Sequence, residues 1–353
     1  MTELPTIGIE EEFLLVDPDG GAPIARNAEV AEVAARHDVD LQLELTTCQV
    51  ETASEPAHRH QDLLEQIRHL RETAAKAAAE SGAQLLAVAL PPTVPQAFPI
   101  TDNPRYREIA DRYGMIAHEQ GISACHVHVS VPDRDTAVAV CTWLRPWLPG
   151  LLALSANSAI YRGADSGHAS WRSVLWHRWP TAGPPPHLES AAEYDEAVQA
   201  FKDMGAVLDD GMVYWDARPS AKFPTVELRV ADVAATAADA VLLAVLSRAA
   251  VMTALTDIAE GAPKPRIPEH LLRAKYWRAA RDGLEDRRTL DELGAFVAEI
   301  APALRRIGDY DYAVAELERV GRDGNGASRQ RRAWQRRGDV SDVLAEVADA
   351  TLR

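Results

Sequence analysis

The chain has 353 residues, 47% of them hydrophobic, and a formal charge of -16 with a pI near 5.1. That balance argues against a nucleic-acid or anionic-membrane partner, and the arginines are scattered rather than gathered into a basic tract. The length would allow two cores, yet no Pro/Gly/Ser linker or shift of composition divides it, so residues 1–353 read as one large α+β domain.

The first residues show no basic region, apolar core or cleavage site of a signal peptide, and a cytoplasmic protein is expected. A first strand spans Thr6–Val16. Alternation sets Ile7, Ile9, Glu11, Phe13 and Leu15 against Gly8, Glu10, Glu12 and Leu14, so Glu10 and Glu12 point the same way, with Cα atoms about 7 Å apart, and Glu11 points the other. Helix Ala28–Arg36 precedes a second strand region, Leu41–Ala53, which carries Glu44 and Glu51 and is interrupted by a Thr46–Thr47–Cys48 turn that leaves the phase of Glu44 open. Helix His58–Ser81 and a loop at Pro91–Pro99 lead to helix Asn103–Gln120, with Asn103 as N-cap and Pro104 in its first turn. The third strand, Ile122–Val131, sets His126, His128 and Ser130 against Cys125, Val127, Val129 and Val131. Helix Arg134–Ser158, a loop at Pro180–Pro186 and helix Ala191–Leu208 follow. A fourth strand, Pro224–Val230, places Thr225, Glu227 and Arg229 opposite Val226, Leu228 and Val230. The apolar run Ala237–Ala259 is interrupted by Asp239, Ser247, Arg248 and Asp257 before the roughly 20 residues a bilayer needs, and reads as a buried core helix. Helices Glu269–Asp282, Leu290–Gly308 and Val340–Leu352 complete the chain, with a flexible glycine-rich loop at Gly321–Gly326.

Four distant strands therefore carry carboxylates, histidines or an arginine on their polar faces. Carboxylates converging on one buried face repel each other and rise in pKa unless a cation neutralises them, so the pattern points to a divalent metal site; any one strand alone reads better as a half-exposed strand with solvated charges, and it is the four together that favour the metal. Cys48, Cys125 and Cys141 form no CxxC pair and imply neither a disulfide framework nor a thiolate zinc site. No GxGxxG or GxxxxGK[ST] element and no βαβ series is present, which argues against a doubly wound nucleotide fold.

The segments GIEEEFLLVDP (Gly8–Pro18), QVETAS (Gln49–Ser54), CHVHVSVPD (Cys125–Asp133), ALSANSAIYRG (Ala153–Gly163), WDARPSAKFPTVELRV (Trp215–Val230) and GASRQRR (Gly326–Arg332) resemble, in order, the motif series of carboxylate-amine ligases related to glutamate-cysteine ligase type 2. The resemblance implies a curved, mainly antiparallel sheet forming a funnel-shaped site surrounded by helices, homodimers, and ATP-dependent amide formation on glutamate or a related acid. It also implies metal ligands at Glu10, Glu12, Glu44, Glu51, His126 and Glu227, in agreement with the strand faces. His128 shares the face of His126 and suits either a substrate contact or packing.

The implied chemistry suits these residue types. A carboxylate is a poor electrophile, so joining it to an amine requires an acyl phosphate made from ATP. Mg²⁺ prefers hard oxygen ligands, which suits several glutamates, and Mn²⁺ is a plausible substitute where a histidine takes part. Charge building on the transferred phosphoryl group calls for cations: Arg229 beside Glu227 first, then Arg218 and Lys222 in the preceding turn, with Arg329 in GASRQRR able to reach an anion. Arg172 in ASWRSVLW could clamp a substrate carboxylate bidentately. Two other readings stay open: a metal-dependent amide hydrolase acting through metal-bound water, and a non-catalytic nucleotide- or metal-binding relative.

Overall fold

The computed structural model describes residues 4–93, 98–119 and 121–353. The ten alternating residues Ile7–Val16 form strand β1, followed in chain order by β2 (Gln42–Leu43), β3 (Gln49–Ala53), β4 (Gln84–Leu86), β5 (Ala124–Ser130), β6 (Ile160–Tyr161), β7 (Ala164–Asp165), β8 (Ala217–Pro219) and β9 (Thr225–Asp232). Among the described residues, seven of these make one sheet in the order β2-β3-β1-β5-β9-β8, with β4 paired to the end of β1; β6 and β7 form a separate hairpin. Every pairing in the large sheet is antiparallel, as expected of this α+β chain.

Register decides which side chains meet. Glu12 lies opposite Glu51, Glu10 opposite His126, and His128 opposite Glu227, so the charged residues of β1, β3, β5 and β9 come together on one face. On the other face Ile7, Ile9, Val127, Val129, Val226, Leu228 and Val230 join the main core. Glu11 also points to that side. It is fully buried in an ion pair with Arg71, which confirms the alternation across the glutamate triplet.

The helices are α1 (Asn27–Ala35), α2 (His60–Glu80), α3 (Pro104–Tyr113), α4 (Met115–His118), α5 (Arg134–Leu144), α6 (Leu148–Ser155), α7 (Trp171–Trp176), α8 (Ala191–Asp203), α9 (Ala237–Ala259), α10 (Glu269–Asp282), α11 (Arg287–Ile307), α12 (Tyr310–Asp323), α13 (Gly326–Arg337) and α14 (Val340–Thr351). Helix α9 starts at a capping box between Thr236 and Asp239 and is apolar nearly all round because it is enclosed: α2, α5, α11 and α12 pack on it, together with β5 and β1.

Several expected helices are broken where a backbone rule outweighs apolar spacing. The run Arg134–Ser158 divides into α5 and α6 with a 73° bend at Arg145–Trp147, where Pro146 lacks an N–H and Pro149 suits the first turn of the next helix. Asn103 caps α3 as expected, but Gly114 at φ 54° ends it and α4 begins anew. Gln120 and part of the Pro91–Pro99 loop lie outside the described residues. Gly321–Asp323, read as loop, form the last turn of α12; only Gly324, at φ 76°, and Asn325 separate it from α13, which Asn325 caps by accepting from the Ser328 N–H.

Candidate active site

The charged face of the sheet floors a cleft of about 610 Å³. Glu10, Glu12, Glu44, Glu51, His126, His128, Arg218, Lys222, Glu227 and Arg229 all line it, so ten residues singled out in the sequence meet in one place. The pleat of β1 delivers Glu10 and Glu12, β3 delivers Glu51, and the segment after β2 brings Glu44 beside it.

Their ligating atoms fall into three groups, each with mutual distances within 4.8 Å: Glu10, Glu51 and His126; Glu10, His128 and Glu227; and Glu12, Glu44 and Glu51. His126 lies between two carboxylates, with Nδ1 3.4 Å from Glu10 Oε2 and Nε2 3.8 Å from Glu12 Oε1, yet among the described residues neither ring nitrogen makes a hydrogen bond. A buried imidazole facing carboxylates in this way fits a ligand set for a divalent ion. His128 is held by its Nδ1 contact with Thr225 Oγ1 at 2.9 Å, leaving Nε2 toward Glu10.

The electrostatics divide the cleft in two. Burial pushes the Glu51 carboxyl well above the usual range, and the charges of Glu44, Glu10 and Glu12 push it further. Burial and Glu44 raise Glu12 likewise. Burial and the nearby Arg229 cation lower His126, favouring the neutral imidazole that a metal requires. Burial also works against the charged form of Glu227, but Arg229 and Arg218 outweigh it and hold the carboxyl below the usual range. Arg218 grips Glu227 with Nε at 2.9 Å and Nη2 at 3.2 Å, while Arg229 donates to the same carboxylate and, among the described residues, keeps its own Nε unpaired. Burial works against the charged form of Glu10 as well, but His126 and His128 outweigh it and hold its carboxyl below the usual range. Five glutamates with one or two imidazoles fit hard divalent ions such as Mg²⁺ or Mn²⁺.

Two expected residues stand elsewhere. Arg172 does not line the cleft: it is 2% exposed, over the ring of Trp176, which does, and 3.9 Å from Asp232, with its guanidinium turned to the β9 backbone rather than into the cleft. Arg329 lies at a separate cavity, its guanidinium bound to Asp239 Oδ2 at 2.6 Å at the start of α9, because α13 carries it away from the sheet's charged face. Lys222 is exposed at the cleft rim with no ion-pair partner among the described residues.

Strand alternation could not show the opposite wall. There Trp176, Trp179 and Tyr214 form an aromatic cluster with ring centroids 4.8 to 6.1 Å apart, beside Tyr106 and the Arg105–Asp209 pair. They come from helices and loops, and only tertiary packing brings them to the cleft. Phe223, 56% exposed and edge-on to His128, stands at the mouth.

The same fold is present in solved carbon–nitrogen ligases. A bifunctional glutathione synthetase from Pasteurella multocida superposes with a TM-score of 0.71 at 16% identity, over 99% of this chain and 52% of that one, so the chain spans about half of that larger protein. A glutamate-cysteine ligase from Francisella tularensis, solved in complex with AMP, gives a TM-score of 0.64 at 14% identity over 99% of this chain and 88% of that one. Closer kinship comes from sequence. The profile of glutamate-cysteine ligase family 2 (GCS2) matches residues 6–346. A protein named "Putative glutamate--cysteine ligase 2-2" from Mycobacterium sp. (strain KMS) is 60% identical over the full length of both chains, and "Putative glutamate--cysteine ligase 2-3" from Mycolicibacterium smegmatis is 57% identical, again end to end. The chain belongs to glutamate-cysteine ligase family 2, a family of ATP-dependent carboxylate-amine ligases.

Proposed function

We propose that this protein joins glutamate, through its γ-carboxylate, to an amine in the cytoplasm, by way of an acyl phosphate made from ATP. The observation that carries this reading is the division of the cleft. Carboxylates grouped closely enough to share divalent ions (Glu10, Glu12, Glu44, Glu51) stand beside arginines and a lysine (Arg218, Lys222, Arg229) that can meet anionic oxygen. A nucleotide triphosphate entering with divalent ions satisfies both halves. The carboxylates and His126 are the residues to hold Mg²⁺, which when bound would neutralise charge on the phosphoryl oxygens. Arg229, fixed by Glu227 and with Nε free, is placed to stabilise charge on the group in transfer, and Arg218 keeps Glu227 ionised and oriented. The aromatic wall is suited to exclude water, which would otherwise hydrolyse an acyl phosphate before the amine attacks. The curved sheet as a funnel and a homodimer belong to the same reading.

A direct test incubates the protein with ATP, Mg²⁺ and glutamate, with and without a panel of amines including cysteine, and follows ADP, phosphate and product mass. Amine-stimulated ADP release with a γ-glutamyl product supports the reading. Amide cleavage without ATP would replace it with a hydrolase, and binding without turnover with a non-catalytic relative.

A further inference from the structure

The register between β5 and β9 is broken at one point. Cys125 faces Ala231 and Val127 faces Leu228, so a single residue of β5, His126, is opposed by two of β9, Arg229 and Val230. Two residues against one make a β-bulge, which bends the strand, re-aims its side chains and leaves local backbone groups without ladder partners. The bulge begins at Arg229, the residue that donates to Glu227 in the cleft. Its backbone is held on the edge away from β5, where the β8–β9 pairing continues by one rung. The Arg229 N–H donates to Asp216 O at 2.7 Å. On the carbonyl side stands Arg172, with Nη2 3.3 Å from Arg229 O and Nη1 3.4 Å from Val230 O. Each bond is long, but the donor is a buried cation and it spans both bulged carbonyls at once. Arg172 is itself fixed from behind: its N–H donates to Ser158 Oγ, and Asp232, 3.9 Å from its guanidinium, accepts from the Asn157 N–H, Ser158 Oγ and Ser170 Oγ.

We propose that Arg172 is a positioning residue for the ligase reaction, pinning the Arg229–Val230 bulge by its two carbonyls so that the Arg229 guanidinium is held against Glu227 in the cleft. This rests on the ligase reading above. A buried arginine that merely balanced Asp232 would need only its charge; the fork across two adjacent carbonyls calls for the planar guanidinium.

The test is a double-mutant cycle of Arg172→Lys with Arg229→Ala, read as kcat and KM for ATP and glutamate, with hydrogen exchange of the segment 226–232. Lysine keeps the buried charge but cannot span two carbonyls. In the native background Arg172→Lys is expected to lower kcat about 10-fold or more with KM for glutamate unchanged, since small misplacement of a charge stabiliser is costly. In the Arg229→Ala background the same change should lower kcat by less than about twofold, because the residue it positions is gone. Exchange across 226–232 should rise in Arg172→Lys. Equal factors in both backgrounds would reduce Arg172 to a general structural residue, and a raised KM for glutamate would make it a substrate contact; either overturns the proposal. If Arg172→Lys does not fold, Arg172→Gln, which retains one amide donor, takes its place in the cycle. A native protein without ATP-dependent turnover counts against the ligase reading instead, and the exchange measurement then decides the bulge alone: unchanged exchange overturns it.

Discussion

The three consecutive glutamates of β1 should answer the same amide substitution in opposite ways. Glu11 is buried against Arg71, whose Nε and Nη2 donate to it at 2.9 and 2.6 Å. Glu11→Gln removes the charge and one acceptor, and leaves the Arg71 cation with the carbonyls of Ala234, Ala235 and Thr351. Breaking a buried pair from one side costs about 3–5 kcal/mol. The three remaining carbonyls place this case at the lower end, about 3 kcal/mol, or a fall in Tm of roughly 4 °C for a chain this long, at about 2.1 cal/mol/K of unfolding entropy per residue. Turnover per folded molecule should hardly change, because Glu11 faces away from the cleft. Glu12→Gln removes a carboxylate whose charge is already opposed by burial and by Glu44, and whose bond from the Ala124 N–H at 2.8 Å an amide oxygen can replace. Its Tm without metal should hold or rise, while Mg²⁺-dependent stabilisation and turnover are lost; Glu10→Gln should also lose turnover. Thermal melts in chelator and in Mg²⁺, set beside ADP release, separate the two patterns. Equal loss of turnover in all three variants, or a metal-free Tm for Glu12→Gln as low as that for Glu11→Gln, would refute the idea that the pleat sorts them.

Glu227→Gln should be partly rescued by raised Mg²⁺, whereas Arg229→Ala should lose roughly two to three powers of ten in rate at every Mg²⁺ concentration; matching Mg²⁺ titrations would end that division of roles. Stability without metal should fall as pH rises from the ordinary glutamate value through the raised value of Glu51, because the folded chain holds that proton more tightly than the unfolded one. Mg²⁺ displaces the proton, so its gain in Tm should grow over the same interval, and a gain independent of pH would contradict the assignment. Replacing Cys48, Cys125 and Cys141 together should spare ATP-dependent ligation and cost about 1 kcal/mol each in stability, since all three thiols are buried and burial pushes Cys48 up to about 11 and the others up as well. Loss of turnover traced to one of them would favour a thioester route.

Period-two alternation made the floor of the cleft legible because strand geometry leaves a side chain only two directions. Glu10, Glu12, His126, Glu227 and Arg229 lie on the expected face, and Glu11 on the other. Glu44 reaches the cleft although the chain between it and Glu51 leaves the ladder, a case alternation could not settle. The misplaced arginines failed for a different reason. Their segments fold as short helices, α7 and α13, and sequence spacing within a helix does not say which neighbour its charged side will meet. Arg172 found the backbone carbonyls of β9 and Arg329 found the start of α9. The aromatic wall was hidden for the same reason: Tyr106, Trp176 and Tyr214 have no shared period and converge only through packing.

The cleft itself sets terms on what can fill it. Its carboxylate half resists full ionisation, since Glu12 and Glu51 are each raised by burial and by one another's neighbours, and a bare cation entering there would relieve that repulsion. Its other half is already ionised, with Glu227 held between two guanidiniums and Arg229 keeping one donor unused. A metal ion alone leaves that donor unmet and brings positive charge toward the arginines. A polyphosphate alone meets the arginines but faces the glutamates. Only a polyanion that arrives with its divalent ions lowers the energy of both halves together, so metal and nucleotide should bind cooperatively here, each tightening the other, as reciprocal linkage between neighbouring sites requires.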